Sequence, residues 1–350
     1  MKRTHFIAWD VHSSFCEGGY IDESGREKGS WQKPTSIPEL VESIESVPRP
    51  RKMVIEEGPL SDYLCRSLGP YVDEMISSDP HRNALIAKEG EKADPIDWRK
   101  LVQLYRGGYV RAVHHPQELS RSLFKQHVQL YHERVAHRVS EALKLIWRVR
   151  GLGVTVKEKD LADMELRRAM IAKLPPDEVA RQDVELLLEG YDASCKQVKQ
   201  LRSRLIALAR TEPMIRNFCE VPGVGWIRAA TFFAIVDTPF RFKTKEKLCK
   251  YMGIGLERRQ SGKGKVAALR VPKRCNRALK NVILGAAKSA AASKGNVFAD
   301  QYQRWLDDQC SPRIARRNTA RSLAAVMWGM WKSGSVFDPS LVAKTQAAVG

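Results

Sequence analysis

The sequence predicts an α/β domain followed by a mainly helical region. Segments with strand-like and helix-like patterns alternate through residues 1–115, residues 117–210 carry apolar residues at steps of four and three, and helical signals continue after residue 211. The chain has 350 residues, 43% of them hydrophobic and 28% charged, which is typical of a folded protein with two or three domains. We expect these domains to span residues 1–115, 116–211 and 212–350.

The elements of the first domain follow an order that favours one fold. Strands are predicted at 4–11, 17–22, 27–33, 52–57 and 72–77, and helices at 36–47, 60–68, 80–89 and 95–107. Three strands in a meander, followed by helix, strand, helix, strand and helix, is the order of a ribonuclease H-like α/β domain.

Four acidic residues occupy specific places in this order. Asp10 interrupts the apolar run of the first strand, Glu56 closes the fourth strand, and Asp94 and Asp97 lie three residues apart on the last helix. A carboxylate at the end of a buried strand is costly unless a positive charge meets it, and Mg²⁺ prefers oxygen ligands. Two such ions about 4 Å apart can hold a phosphodiester during displacement. The set therefore indicates Mg²⁺-dependent phosphoryl transfer on nucleic acid, with Mn²⁺ as a substitute ion.

The glutamate of this set has a rival. Glu57 follows Glu56 directly, and the alternation of side chains along a strand places the two on opposite faces of the sheet. Only one of them can lie on the face of Asp10. We favour Glu56 because it follows Ile55 at the end of the apolar run.

The middle of the chain predicts a pair of long helices. One apolar path runs through Phe124, Val128, Tyr131, Val135, Arg138, Ala142, Leu145 and Val149, and a second through Leu187, Tyr191, Ser194, Val198, Leu201, Leu205 and Leu208. Glycines at 151 and 153 and prolines at 175 and 176 interrupt the helical pattern between them. We expect an antiparallel hairpin, or coiled-coil arm, about 50 Å long.

The last domain begins with a motif that suits phosphate binding. Residues 221–225 read Val-Pro-Gly-Val-Gly, the signature of a helix–hairpin–helix element, in which backbone N–H groups at Gly223 and Gly225 can face a phosphate. Helices are predicted at 226–237, 244–252, 275–295, 296–309 and 312–333. This domain is therefore expected to be mainly helical.

The positive charge is concentrated in this domain. The net charge is +19, and residues 211–350 alone hold 25 Lys and Arg against 9 Asp and Glu, which indicates a polyanionic partner. Nine cations lie between residues 256 and 280, namely Arg258, Arg259, Lys263, Lys265, Arg270, Lys273, Arg274, Arg277 and Lys280. Ser261 lies among them and before Gly262. A serine hydroxyl is a weak nucleophile unless it is activated, so spacing alone favours a turn that binds phosphate.

Other classes of protein find little support in the sequence. The seven cysteines are scattered without a CxxC pair, which argues against a disulfide framework or a zinc site. No apolar run reaches 18 residues, no signal peptide is apparent and no P-loop motif is present. We expect a cytoplasmic, nucleoid-associated bacterial protein with no membrane partner.

The motifs together resemble those of a known family. Asp10, Glu56, Asp94 and Asp97, the hairpin at 222–225 and the segment Gly255–Gly262 resemble the insertion-sequence transposases with a DEDD motif, which are bridge-RNA-guided serine recombinases. The resemblance covers nearly the whole chain. It departs from the family pattern at Glu56–Pro59 and at Glu257, where the family usually has proline. The resemblance implies a RuvC-like first domain and assigns the nucleophile to Ser261.

The resemblance also implies partners and a mechanism. A structured non-coding bridge RNA would pair with donor and target DNA, and a homodimer would assemble into a tetramer through the hairpin arms. Ser261 would form a 5′-phosphoserine link while the four acids hold Mg²⁺. Two alternatives stay open: a hydrolytic RuvC-like junction nuclease in which Ser261 only binds DNA, and a non-catalytic RNA/DNA-binding protein.

Overall fold

The chain folds into two compact units. The computed structural model describes residues 3–81, 98–257 and 270–342. The first unit, Met1–Leu123, contains a six-stranded sheet with helices, and the second, Phe124–Gly350, is built of helices in its described part. This confirms the predicted combination of an α/β part with a helical part.

One mixed sheet organises the first unit. Its strands are β1 (His5–Val11), β2 (Phe15–Ile21), β3 (Glu27–Pro34), β4 (Arg51–Glu56), β5 (Glu74–Ser78) and β6 (Ala112–Val113). They lie in the order β3-β2-β1-β4-β5-β6. The first three strands pair antiparallel as a meander, β4 and β5 run parallel to β1, and β6 is antiparallel to β5. The predicted meander and the predicted fourth and fifth strands are thus present within two residues of their expected bounds.

Helices cover both faces of this sheet. Helices α1 (Ile37–Glu45) and α2 (Ser61–Leu68) pack on one face, and α3 (Trp98–Arg106) packs on the other. Successive residues of β1 divide between the two cores, with Ile7 and Trp9 under α1 and α2 and Ala8 under α3. Because β1 is apolar on both sides, it lies at the centre of the sheet. The predicted helix at 80–89 falls almost entirely outside the described residues, as does the start of the predicted helix at 95–107.

Two long helices run antiparallel in the second unit. They are α4 (Leu119–Gly151), most of which belongs to this unit, and α6 (Glu178–Thr211). Near the start of α4, His127 bonds to the carbonyl of Leu201 in the last part of α6, and near its end Arg148 pairs with Asp183 at the start of α6. The polar residue Arg138, which interrupts the predicted apolar path, is paired with Glu158 at 3.2 Å. At the C-terminal end of the second predicted apolar path, Leu208 is exposed, and the neighbouring residue Ala209 is buried instead.

The segment between the long helices is a folded cap. A short 3-10 helix (Glu158–Ala162) and α5 (Met164–Ala172) pack on the ends of α4 and α6 through Leu161, Met170 and Leu174. Arg167 of α5 donates two hydrogen bonds to Asp192 of α6, at 2.8 and 2.7 Å. The sequence predicted only helix breaks here, whereas apolar burial makes the segment a small core of its own.

The rest of the second unit is a helical bundle. It contains α7 (Pro213–Cys219), α8 (Trp226–Val236), α9 (Lys245–Tyr251), α10 (Arg277–Ala292), α11 (Val297–Asp307) and α12 (Pro312–Ser333). Helix α8 is buried over most of its length, and α10 and α12 pack beside it in one hydrophobic core. Val128, in the N-terminal part of α4, and Leu205, in the C-terminal part of α6, belong to this core. These parts of the two helices are therefore continuous with the bundle. None of the helices in the described residues is long and apolar enough to span a membrane.

Candidate functional site

A row of polar residues crosses the sheet of the first unit at one level. The parallel register joins Trp9 to Ile55, so Asp10 and Glu56 are the next residues on adjacent strands. They share the parity of Ala8 and Val54, which places both on the face covered by α3. Neighbouring strands lie about 4.8 Å apart, so the two carboxylates are neighbours across the sheet.

Asp10 is accessible from solvent although its strand is buried. Its side chain is 22% exposed, and one carboxylate oxygen lies 3.4 Å from His12 Nε2. Glu56 is half-buried at the last position of β4. Asp10 is the last residue but one of β1 and Glu56 is the last residue of β4, so both lie at the rim of the core, where an ion or a phosphate can reach them.

The turn after Glu56 is held by a buried serine. Ser61 Oγ donates to the carbonyl of Glu56 at 3.1 Å and accepts from the backbone N–H of Gly58 at 2.8 Å. Ser61 is 2% exposed and begins α2. The backbone at Glu56 is thus fixed to a helix rather than left as a free loop end.

Glu57 lies on the other side of the sheet and has partners of its own. Its carboxylate accepts a hydrogen bond from Ser77 Oγ at 2.5 Å and lies 2.8 Å from His115 Nε2. The second ring nitrogen of His115 lies 3.5 Å from Asp62. Glu57 is therefore built into a polar network on the α1 and α2 face, whereas Glu56 shares the face of Asp10.

Helix α3 begins over the same face. Trp98 is 3% exposed and packs against β2, where a Cβ added to Gly19 would lie 2.4 Å from the indole ring. Gly19 pairs with Ala8, two residues before Asp10. Trp98 is thus a core residue that anchors the first turn of α3. Asp97, which precedes it, and Asp94 lie outside the described residues.

Glu17 is a carboxylate of this row that sequence reasoning missed. It is exposed on β2, directly opposite Asp10 in the antiparallel register, so both side chains are on one face. No local motif marks Glu17, because its place beside Asp10 depends on the register of β1 with β2.

The described acids have the type of ligand atom that a hard cation prefers, but they are too few to form a metal site. Asp10 and Glu56 offer carboxylate oxygens, the ligands that Mg²⁺ prefers. Within residues 3–81, 98–257 and 270–342, no group of three or more His, Cys, Asp or Glu residues is arranged to hold a metal ion. A Mg²⁺ site at Asp10 and Glu56 would therefore need further ligands.

In the second unit, a backbone bridge joins the two described residues on either side of the basic segment 258–269. Glu257 and Arg270 exchange two backbone hydrogen bonds, of 2.7 and 3.0 Å, as an antiparallel bridge. Ser261 lies between them in sequence but outside the described residues, together with Arg258, Arg259, Lys263 and Lys265. The remaining five predicted cations are described: Arg270, Lys273, Arg274 and Arg277 are exposed, and Lys280 is half-buried.

The predicted hairpin lies between α7 and α8, and its two glycines differ. Gly223 has a φ of +81°, and a Cβ there would lie 2.3 Å from the carbonyl oxygen of Ala286 in α10. Arg228 donates to the Gly223 carbonyl at 2.6 Å. Gly223 is therefore required by close packing, whereas Gly225 is exposed at the beginning of α8 and leaves its side of the turn accessible.

Comparison with known proteins identifies one similar family. Residues 215–303 match the model described as Transposase IS116/IS110/IS902 family. The matched stretch begins in α7, includes the hairpin and the basic segment with Ser261, and ends in α11. A comparison with curated proteins gave no match. The family match supports a DNA-processing transposase of an insertion sequence.

Proposed function

We propose that this chain is an RNA-guided DNA recombinase of an insertion sequence, with a RuvC-like first unit and a serine nucleophile in the second. The match of residues 215–303 to the transposase family carries the proposal, because it includes the segment that holds Ser261. The common face of Asp10 and Glu56 supports the acidic half of the site. The concentration of positive charge after residue 211 supports nucleic acid as the substrate.

The proposed reaction conserves the phosphodiester. Ser261 Oγ attacks the phosphorus, the bond from phosphorus to the 3′-oxygen breaks, and a 5′-phosphoserine link forms. The serine hydroxyl loses its proton and the departing 3′-oxygen gains one. Attack of a 3′-hydroxyl from another strand reverses these changes and rejoins the DNA, so no nucleotide hydrolysis is required.

The acids have a separate part in this reaction. Asp10, Glu56, Asp94 and Asp97 would hold Mg²⁺, which stabilises negative charge on the reacting phosphate. Glu56 is favoured over Glu57 for this part because Glu57 is on the opposite face of the sheet and bonds to Ser77 and His115. Cations such as Arg270 and Arg274 would neutralise the DNA backbone on either side.

The proposed partners follow from the resemblance of the motifs. A bridge RNA encoded beside the gene would choose donor and target DNA by base pairing, and the protein would bind backbone and shape. The antiparallel arm formed by α4 and α6 would join two copies, and two dimers would form the active tetramer. Sequencing of RNA that copurifies with the protein from its host tests this part directly.

The mechanism is tested by trapping the covalent link. The Ser261→Ala variant is expected to give no DNA adduct that survives denaturation and no cleavage, whereas Ser293→Ala, an exposed serine at the end of α10, is expected to retain both. Asp10→Asn is expected to lose cleavage while keeping DNA binding. Cleavage by Ser261→Ala would instead establish a hydrolytic nuclease, and full activity of Asp10→Asn would exclude a role for the acidic site.

A further inference from the structure

A group of arginines on α12 lies outside every motif considered so far. Arg313, Arg316 and Arg317 are spaced at i, i+3 and i+4, so they occupy one side of the first turns of this helix. Arg313 is exposed, and Arg316 and Arg317 are half-buried. Three guanidinium groups are thus collected within about 6 Å of helix length.

These arginines have no acidic partner in the described part of the chain. None of the ion pairs or side-chain hydrogen bonds found there involves the guanidinium of Arg313, Arg316 or Arg317. Partial burial lowers the pKa of Arg317, and the nearby charges of Arg313 and Arg316 lower it further. The positive end of the helix dipole also disfavours cations in a first turn. Among the described residues, this cluster of positive charge is therefore uncompensated.

The cluster is joined to the base of the serine segment. One helical turn beyond Arg317, Arg321 donates from Nε to the carbonyl of Ile254 at 2.7 Å. Ile254 directly precedes Gly255–Glu257, and Glu257 forms the backbone bridge with Arg270. Arg321 also bonds to Asn318 at 2.6 Å, so its role is structural. Arg313, Arg316 and Arg317 thus lie on the same helix that bonds to Ile254, close in sequence to the bridge between Glu257 and Arg270.

A phosphate backbone is a ligand that would offset the electrostatic repulsion among these three arginines. Guanidinium groups form paired hydrogen bonds with phosphate oxygens and are less strongly hydrated than ammonium groups. A row of phosphates offers one negative charge to each arginine, which a single small anion does not. A polyanion that lies along the helix would provide an acceptor for each of these side chains.

We propose that Arg313, Arg316 and Arg317 form a phosphodiester-binding face of the second unit, which holds a nucleic-acid backbone beside the base of the serine segment. This inference rests on the proposed function, in that the chain must act on nucleic acid. It adds a contact surface on α12 to the basic segment at 256–280.

Salt dependence of binding tests the face without requiring catalysis. The probes are a random-sequence DNA duplex and an RNA duplex of equal length, with fluorescence anisotropy measured over a range of salt concentrations. Replacing Arg313, Arg316 and Arg317 by glutamine is expected to reduce the slope of log K against log salt by about two to three units, since each phosphate contact contributes about 0.9. Glutamine keeps helix propensity close to that of arginine, and circular dichroism verifies the fold.

A matched variant removes the same charge elsewhere. Lys196, Lys199 and Arg202 are exposed on α6, and their replacement by glutamine is expected to leave the slope unchanged. A smaller slope in the α12 variant alone supports the face, and the duplex with the larger loss identifies the backbone it takes. An unchanged slope, or an equal loss in both variants, overturns the inference while binding by the wild type still supports the proposed function. Absence of wild-type binding to either duplex would overturn both.

Discussion

Ser61 shows how one side chain positions a candidate metal ligand. Its hydroxyl contacts backbone groups on both sides of Glu57, since it bonds to the Glu56 carbonyl and the Gly58 N–H. The hydroxyl itself is buried and the two bonds are partly buried, so its removal takes away the one group that joins these backbone positions. The direction of Glu56 therefore depends on a residue that carries no chemistry of its own.

Replacement of Ser61 by alanine is expected to destabilise the first unit and weaken the acidic site. Ser61→Ala removes two partly buried hydrogen bonds, and each such bond typically contributes about 0.5–1.5 kcal/mol to stability. Urea unfolding measures this loss of stability. The Mg²⁺ concentration required for half-maximal DNA cleavage is expected to rise several-fold, because Glu56 is no longer held in place.

Ser46→Ala is the control for this change. Ser46 is exposed at the end of α1 and its hydroxyl bonds only to a backbone carbonyl one turn back, at 2.7 Å. Water can replace that bond, so stability and Mg²⁺ requirement should stay near those of the wild type. An unchanged Mg²⁺ requirement in Ser61→Ala would show that the turn does not position Glu56.

The sheet explains why some site residues could be predicted and others could not. Asp10 and Glu56 were predictable because Asp10 interrupts an apolar run and Glu56 closes one, and such runs indicate strands that enter a core. Glu17 was missed because its place beside Asp10 is a property of strand pairing. Pairing depends on which register buries both faces of the sheet, and no single segment carries that information.

The contact of α4 with α8 introduces a dependence of stability on pH. His132 of α4 lies 2.9 Å from Thr231 Oγ1 of α8, and burial lowers the pKa of His132 below its usual value of 6.5. In the unfolded chain this group takes up a proton near pH 6.5, while in the native protein it stays neutral to lower pH. Stability is therefore complete above about pH 6.5 and decreases as the pH falls below it.

Replacement of His132 by glutamine is expected to remove this decrease. The free energy of unfolding of the wild type should fall between about pH 7.5 and 5.5, with a contribution from His132 of at most about 1.4 kcal/mol per pH unit. The variant should show a smaller fall over the same interval in urea titrations. His137→Gln, at a position whose side chain is 48% exposed on the same helix, should keep the wild-type profile. Identical profiles for wild type and His132→Gln would contradict the assignment.

The molecule as a whole divides its charge between two units. Most of the net charge of +19 belongs to residues after 210, whereas the acidic row lies in the sheet of the first unit. A polyanion would be attracted mainly to the second unit, because most of the positive charge lies there. Binding and chemistry are therefore expected to respond to different changes.

Salt concentration should mainly change DNA binding, and substitutions in the acidic row should mainly change catalysis. If the chain contacts six to ten phosphates, its affinity for DNA falls by about 10³–10⁵ between 50 and 200 mM salt. Asp10→Asn should show the same salt dependence in anisotropy measurements while it lacks cleavage activity. A change in salt slope in that variant would contradict the separation of DNA binding from catalysis.

The sequence by itself determined the features that local patterns encode. The order of strands and helices, the placement of Asp10 and Glu56 at strand ends, the long helices α4 and α6 and the basic character of the second unit follow from periodicity and composition within short segments. Turn residues, strand alternation and helical spacing act over a few residues, so they can be read without knowledge of the rest of the chain.

Only the tertiary structure decided which of these segments meet. It paired Glu17 with Asp10, turned Glu57 toward Ser77 and His115, and joined α12 to the base of the serine segment through Arg321. It also made Gly223 a packing residue of α10. Such contacts join residues far apart in sequence, and they are selected because they bury apolar surface and satisfy buried polar groups throughout a unit at the same time.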